Sequence, residues 1–116
     1  MRRLIPLLAL CAVTACGSGA EQHRLRHAKD LIANHCAACH QVPGVALAQG
    51  RVGPSLAGIG QQQIIAGYLA NSPEMLTQWI EHPQRMLPGN AMPELGLTHE
   101  QAMSIVDYLY TMEKRP

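Results

Sequence analysis

Phenylalanine is absent from this chain of 116 residues, which carries one tryptophan, Trp79, and three tyrosines. So small a protein with so few aromatic side chains has little large apolar material of its own to fill a core. Hydrophobic residues still make up 47% of the sequence, and a large planar cofactor is one source of the missing volume. Charge is scarce too: a formal net charge of +1 gives no basic field for nucleic acid. No useful run alternates apolar and polar residues as a half-buried strand does, and no apolar run approaches the roughly 20 residues of an ordinary membrane-spanning helix.

What is present begins with an export signal. Arg2 and Arg3 form a positive start, Leu4 to Val13 an apolar stretch, and Thr14-Ala15 a small-residue cleavage site, the pattern of a secretory signal peptide. V-T-A-C at 13–16 resembles the lipobox of bacterial lipoproteins. That resemblance implies cleavage after Ala15 and a diacylglyceryl group on Cys16, hence a membrane anchor; ordinary cleavage nearby is the alternative. Gly17-Ser18-Gly19 reads as a flexible spacer. The expected organisation is a signal peptide over 1–15, a lipid-anchored linker over 16–23 and one folded domain over 24–116. Removing Arg2 and Arg3 takes nine basic residues to seven against eight acidic ones, a mature side-chain charge of −1.

Three helices are expected. The first, from about Arg24 to His35, has Leu25, Ala28, Leu31 and Ile32 on one stripe, one face of a 3.6-residue period. The second has Ser72 as N-cap, Pro73 at its first position, Glu74 in its first turn, an apolar set of Leu76, Trp79 and Ile80, and Pro83 as stop. The third opens on a Thr98/Gln101 capping box, with Leu97 placed to staple onto Ala102, and carries Ala102, Ile105, Val106, Leu109 and Met112. The fold expected is all-α, with Gly- and Pro-rich connections.

C-A-A-C-H at 36–40 allows three chemistries: a redox dithiol, half of a zinc site, or covalent attachment of haem. A thioredoxin-like dithiol needs strands alternating with helices, which this chain lacks. A structural zinc site needs four ligands, and His35, His82 and His99 are not paired in any such spacing. Haem attachment accounts for all five residues. Cys36 and Cys39 would bond to the two vinyl groups and His40 would ligate the iron. Attachment in bacteria takes place outside the cytoplasm on a reduced, unfolded chain, which agrees with export.

From about His27 to Thr111 the chain resembles a class I cytochrome c, on A-K-D-L-I-A-N-H-C-A-A-C-H at 28–40, R-V-G-P-S-L-A-G-I-G at 51–60 and the stretch from Pro73 to Thr98. The last of these is most similar to the small cytochrome c domains of bacterial terminal oxidases. Ala28 stands where that family favours glycine and Ile32 where it favours an aromatic, which implies a looser or repacked crossing with the last helix. The resemblance implies one covalently bound haem c, the Pro54 carbonyl receiving the Nδ1–H of His40, and Leu56 covering a haem face.

An electron carrier benefits from an iron whose two axial positions are both filled, and thioether sulfur raises the potential relative to a second histidine. Met75, Met103 and Met112 fall in helices, where packing is the default. Met92 resembles the family's ligand in its P-G-x-x-M-P setting, stiffened by Pro88 and Pro93; Met86 is the reserve, and His82 offers a bis-histidine alternative. Trp79 would pack in the core or donate its indole N–H to a haem propionate. Tyr68 and Asn71, in I-A-G-Y-L-A-N, are candidate propionate neighbours.

The resulting expectation is a non-enzymatic, membrane-tethered one-electron carrier on the periplasmic side of a bacterial membrane, inner or outer. It would work between a donor dehydrogenase or respiratory complex and an acceptor oxidase or reductase. A haem enzyme or gas sensor with an open sixth position, and a fixed haem subunit of a larger complex, are the alternatives.

Overall fold

The computed structural model describes residues 15–112, so the signal-peptide reading of the preceding residues lies outside the described range. Helix α1 spans Ala15–His35, α2 Pro73–Glu81, α3 Pro83–Met86 and α4 His99–Thr111. A 3₁₀ turn at Ile59–Gln61 and a two-stranded antiparallel ladder, β1 Ile64–Ile65 with β2 Leu69–Ala70, lie between α1 and α2. Among the described residues, no helix is long and apolar enough to cross a membrane.

Local chemistry explains the helix ends. The Ser72 hydroxyl accepts from the Met75 backbone N–H at 3.0 Å, with Pro73 at the first helical position, so one of the orphan donors of α2 is satisfied. Thr98 and Gln101 form the full capping box of α4: the Gln101 side chain accepts from Thr98 N–H at 2.9 Å and the Thr98 hydroxyl from Gln101 N–H at 3.2 Å. Pro83 ends α2 because its ring cannot continue the ladder, and it then opens the single turn of α3, which the sequence did not announce.

Two expectations are corrected here. The spacer over 16–23 is not irregular, since α1 already runs through it. Its residues 18–24 are exposed, and Ala20, Glu21, Gln22 and Arg24 favour the helix enough to carry it past Gly19. The chain also contains a ladder that no alternating pattern signals. It is two residues deep on each side, and its turn uses Ala66 at φ 50° and Gly67 at φ 81°.

α4 lies at the centre and packs against both α1 and α2. Ile32, Ala102 and Ile105 are fully buried, Leu109 and Leu76 nearly so, and Ala28 is 3% exposed. Ala28 and Ile32 of α1 are thus buried in the same core as Ala102 and Ile105 of α4. Each large aliphatic side chain buried in this way contributes roughly 1.5–3 kcal/mol. Tyr108 of α4 donates from its hydroxyl to the Pro43 carbonyl at 2.8 Å, which ties the loop after the cysteines onto the same core.

Candidate haem-binding site

α1 ends where the C-A-A-C-H segment begins. Cys36 N–H still donates to the Ile32 carbonyl at 2.8 Å, and His40 N–H to the Cys36 carbonyl at 2.9 Å, so the five residues form a compact turn that holds both thiols and the imidazole. Cys36 is buried. Burial, and secondarily the neighbouring Cys39, pushes its thiol up to about 11.

The loop from Gly50 to Leu56 is sewn against this turn. Gly53 N–H donates to the Cys39 carbonyl at 2.7 Å, Gly50 N–H reaches the Ala37 and His40 carbonyls, and Leu56 N–H donates to Gln41 at 2.9 Å. Two glycines make so close an approach possible. A Cβ on Gly50 would sit 2.6 Å from Ala38 backbone atoms, and one on Gly53 would sit 2.8 Å from His40 Nδ1 and 3.0 Å from Nε2. The imidazole thus rests against the bare backbone of Gly53.

His40 Nδ1 lies 2.6 Å from the Pro54 carbonyl oxygen. A carbonyl only accepts, so Nδ1 carries the proton and Nε2 keeps its lone pair for a metal. Sequence reasoning found Pro54 through resemblance but missed Gly53, whose demand for a missing side chain becomes visible once the ring is placed.

Met92 belongs to the segment that follows α3. Its N–H donates to Asn90 Oδ1 at 2.7 Å and its carbonyl accepts from Gln84 Nε2 at 2.7 Å. Asn90 Nδ2 in turn donates to the Pro83 and Leu87 carbonyls. Gln84 and Asn90 gave no sequence signal of their own, because amide side chains reveal such roles only when the loop's shape is known.

These two halves meet in a cavity of about 380 Å³, within the range of small-molecule and cofactor sites. Cys36, Cys39, His40, Pro54, Leu56, Trp79 and Met92 all line it, together with buried Ile59, Ile65, Leu76, Ile80, Ile105 and Leu109. The indole of Trp79 therefore borders the cavity as well as the core. The walls suit a planar, mostly apolar group, and the donor set offers two thiols, the imidazoles of His35 and His40, and one thioether.

Tyr68 and Asn71 are not part of this lining. Both polar groups serve the chain instead. The Tyr68 hydroxyl donates to the Met86 carbonyl. Asn71 Nδ2 donates to Ile59 and Gln62 at 2.7 and 2.8 Å, and its Oδ1 accepts from the Tyr110 hydroxyl at 2.7 Å. Met86 and His82, the reserve ligands, also lie outside the lining; His82 Nδ1 faces Glu94 at 3.8 Å. His99 pairs with Glu81 at 3.1 Å, while His35 borders the cavity.

The family described as cytochrome c matches residues 25–113. The chain belongs to the cytochrome c family. It is 36% identical over 81 residues to cytochrome c oxidase subunit 2 of Alkalihalophilus pseudofirmus, a match covering 69% of this chain and 23% of that protein. A second cytochrome c oxidase subunit 2, from Bacillus sp. strain PS3, is 35% identical over 82 residues, 67% of this chain and 23% of its own length. The chain thus spans under a quarter of the oxidase subunits it matches. It is also 30% identical over 91 residues to cytochrome c2 iso-2 of Magnetospirillum molischianum, covering 67% of this chain and 91% of that one. The fold is the all-α class I arrangement, the cofactor is covalently attached haem c with its iron, and the chemistry is haem-based electron transfer.

Proposed function

We propose that this cytochrome c is a membrane-tethered one-electron carrier whose haem is fastened by Cys36 and Cys39 and ligated by His40 and Met92. The observation that carries the reading is the shared cavity. A histidine with its Nδ1 proton committed to Pro54 and a methionine fixed by its own backbone both line it.

Bound there, the haem supplies an iron that cycles between two oxidation states. The protein's part is to keep the surroundings the same in both. His40 is oriented by Pro54 and pressed against Gly53, so its ring cannot turn as the charge changes. Met92 offers a soft sulfur that favours the reduced form. The aliphatic walls limit water near the iron and disfavour extra positive charge, which acts in the same direction. With His40 and Met92 both holding the iron, no position would be left open to peroxide or gas, as a carrier requires and an enzyme or sensor does not.

The tether rests on the sequence: the Arg2-Arg3 start, the apolar stretch from Leu4 to Val13, and V-T-A-C. Cys16 stands in the first turn of α1, and Leu25 is already partly buried against the core. About 14 Å of helix would therefore separate a lipid on Cys16 from the body, on the periplasmic side of the membrane. Redox partners, a dehydrogenase or respiratory complex as donor and an oxidase or reductase as acceptor, would bind weakly through small interfaces. A mature charge near neutrality gives little steering, and confinement to the membrane raises the effective concentration instead. Similarity to oxidase subunits favours an oxidase as the acceptor.

The test uses protein purified from membranes with its lipid. One-electron Nernst behaviour, no carbon monoxide binding by the reduced form, and an intact mass carrying a diacylglyceryl group on Cys16 support the reading. Rapid carbon monoxide binding would make it a sensor or enzyme, an unmodified Cys16 would remove the tether, and recovery only at fixed stoichiometry with an oxidase would make it a subunit.

A further inference from the structure

Gln84 is the second residue of α3, and its side-chain amide is fully used on one short segment. Nε2 donates to the Asn90 carbonyl at 2.8 Å and the Met92 carbonyl at 2.7 Å, while Oε1 accepts from Gly89 N–H at 3.0 Å. Both amide protons and the carbonyl oxygen are thereby committed to residues 89–92. The backbone N–H of Gln84 adds a fourth link, to Glu94 Oε1 at 3.0 Å.

Asn90 completes the arrangement from inside the segment. Its Oδ1 accepts from Met92 N–H and its Nδ2 bonds the Pro83 and Leu87 carbonyls. Met92 therefore has its N–H held by one side-chain amide and its carbonyl by another. Pro93 follows it, which restricts the backbone of Met92 further. For the backbone of Met92 to move away from the cavity, the Gln84 contacts must break.

We infer that Gln84 is a positioning residue for the sixth coordination position, and that by spanning Gly89, Asn90 and Met92 its amide sets how readily that position opens to an outside ligand. The inference rests on Met92 being the axial ligand. Gln84 touches neither the iron nor its ligand's sulfur; it acts through the backbone of the segment that carries the sulfur. Loss of several net-favourable hydrogen bonds raises the population of the open segment by about tenfold or more.

The experiment is imidazole binding to the ferric holoprotein, followed by the visible spectrum, in wild type, Gln84→Ala, Gln84→Glu and Thr98→Ala. Gln84→Glu keeps the length of the side chain and its contact to Gly89, yet at neutral pH it has no proton for the Asn90 and Met92 carbonyls. Thr98→Ala removes a remote helix cap and so reports what a general loss of stability does. Both Gln84 variants are expected to bind imidazole about tenfold or more tightly than wild type, with Thr98→Ala unchanged. Wild-type affinity in both Gln84 variants, or an equal gain in Thr98→Ala, would overturn the inference. Retention of the iron–sulfur charge-transfer band in Met92→Ala would overturn the ligand assignment itself. Loss of that band beside unaltered Gln84 variants would leave the assignment standing and sink the positioning role alone.

Discussion

His40 Nδ1 and the carbonyl oxygen of Pro54 are 2.6 Å apart, and that single contact leaves Nε2 as the ring nitrogen with a lone pair to offer a metal. It also fixes the plane of the imidazole, because Gly53 fills the space behind the ring with backbone alone. The two neighbours act as a mould: one sets the ring's direction, the other its depth.

Gly53→Ala tests that mould. Its methyl group would stand 2.8 Å from His40 Nδ1, so either the ring or the loop must move. Overpacking of this kind lowers the unfolding free energy by about 1–3 kcal/mol. Denaturant unfolding of the holoprotein measures the loss, and its visible spectrum reports the displaced ring. A variant with wild-type stability and spectrum would mean that the imidazole does not lie where it is described.

The cysteines should separate by number rather than by position. Cys36→Ser or Cys39→Ser is expected to leave haem attached through one bond, and the double variant to lose it on a denaturing gel stained for haem. The buried Cys36 thiol, pushed up to about 11, is a weak nucleophile once the core has closed. Attachment is therefore expected to be faster on the unfolded, reduced chain than on folded haem-free protein; equal rates would contradict this.

The Tyr110 hydroxyl is raised above its ordinary 10.0, first by burial and then by the Glu74 carboxylate, and it donates to Asn71 at 2.7 Å. The folded state therefore binds this proton more tightly than the unfolded state. Its stabilisation is fully present below the ordinary tyrosine value and falls as pH rises through the folded one. Tyr110→Phe is expected to cost about 1 kcal/mol at neutral pH and to flatten the alkaline part of the stability curve. Unfolding at a series of pH values checks both, and an unchanged alkaline slope would refute the assignment.

What the sequence made legible was local. Ser72 with Pro73, and Thr98 with Gln101, carry their helix starts in neighbouring residues, and both starts occur where the residues place them. Cys36, Cys39 and His40 lie within five positions, so chain connectivity brings them together almost regardless of the fold. Met92 was readable through its prolines and its family setting. Other features depend on distance in space. The separation of 10 positions from Gln84 to Glu94, or of 39 from Asn71 to Tyr110, leaves no periodic trace. Asn71 is one such case: its amide closes the backbone around the 3₁₀ turn, a role that its place in a polar loop does not announce. Gly17-Ser18-Gly19 misled for a different reason, since low helix propensity is a weak prior where good helix formers directly downstream, Ala20 to Gln22, can propagate the helix.

The account stands on Met92 closing the sixth position of a haem already held by His40. The most direct measurement is the visible spectrum of ferric wild type and Met92→Ala, with carbon monoxide added to the reduced forms. The account predicts an iron–sulfur charge-transfer band and no carbon monoxide binding in wild type, then loss of the band and rapid binding in Met92→Ala. A band that survives in Met92→Ala, or wild-type protein that binds carbon monoxide at once, would contradict it.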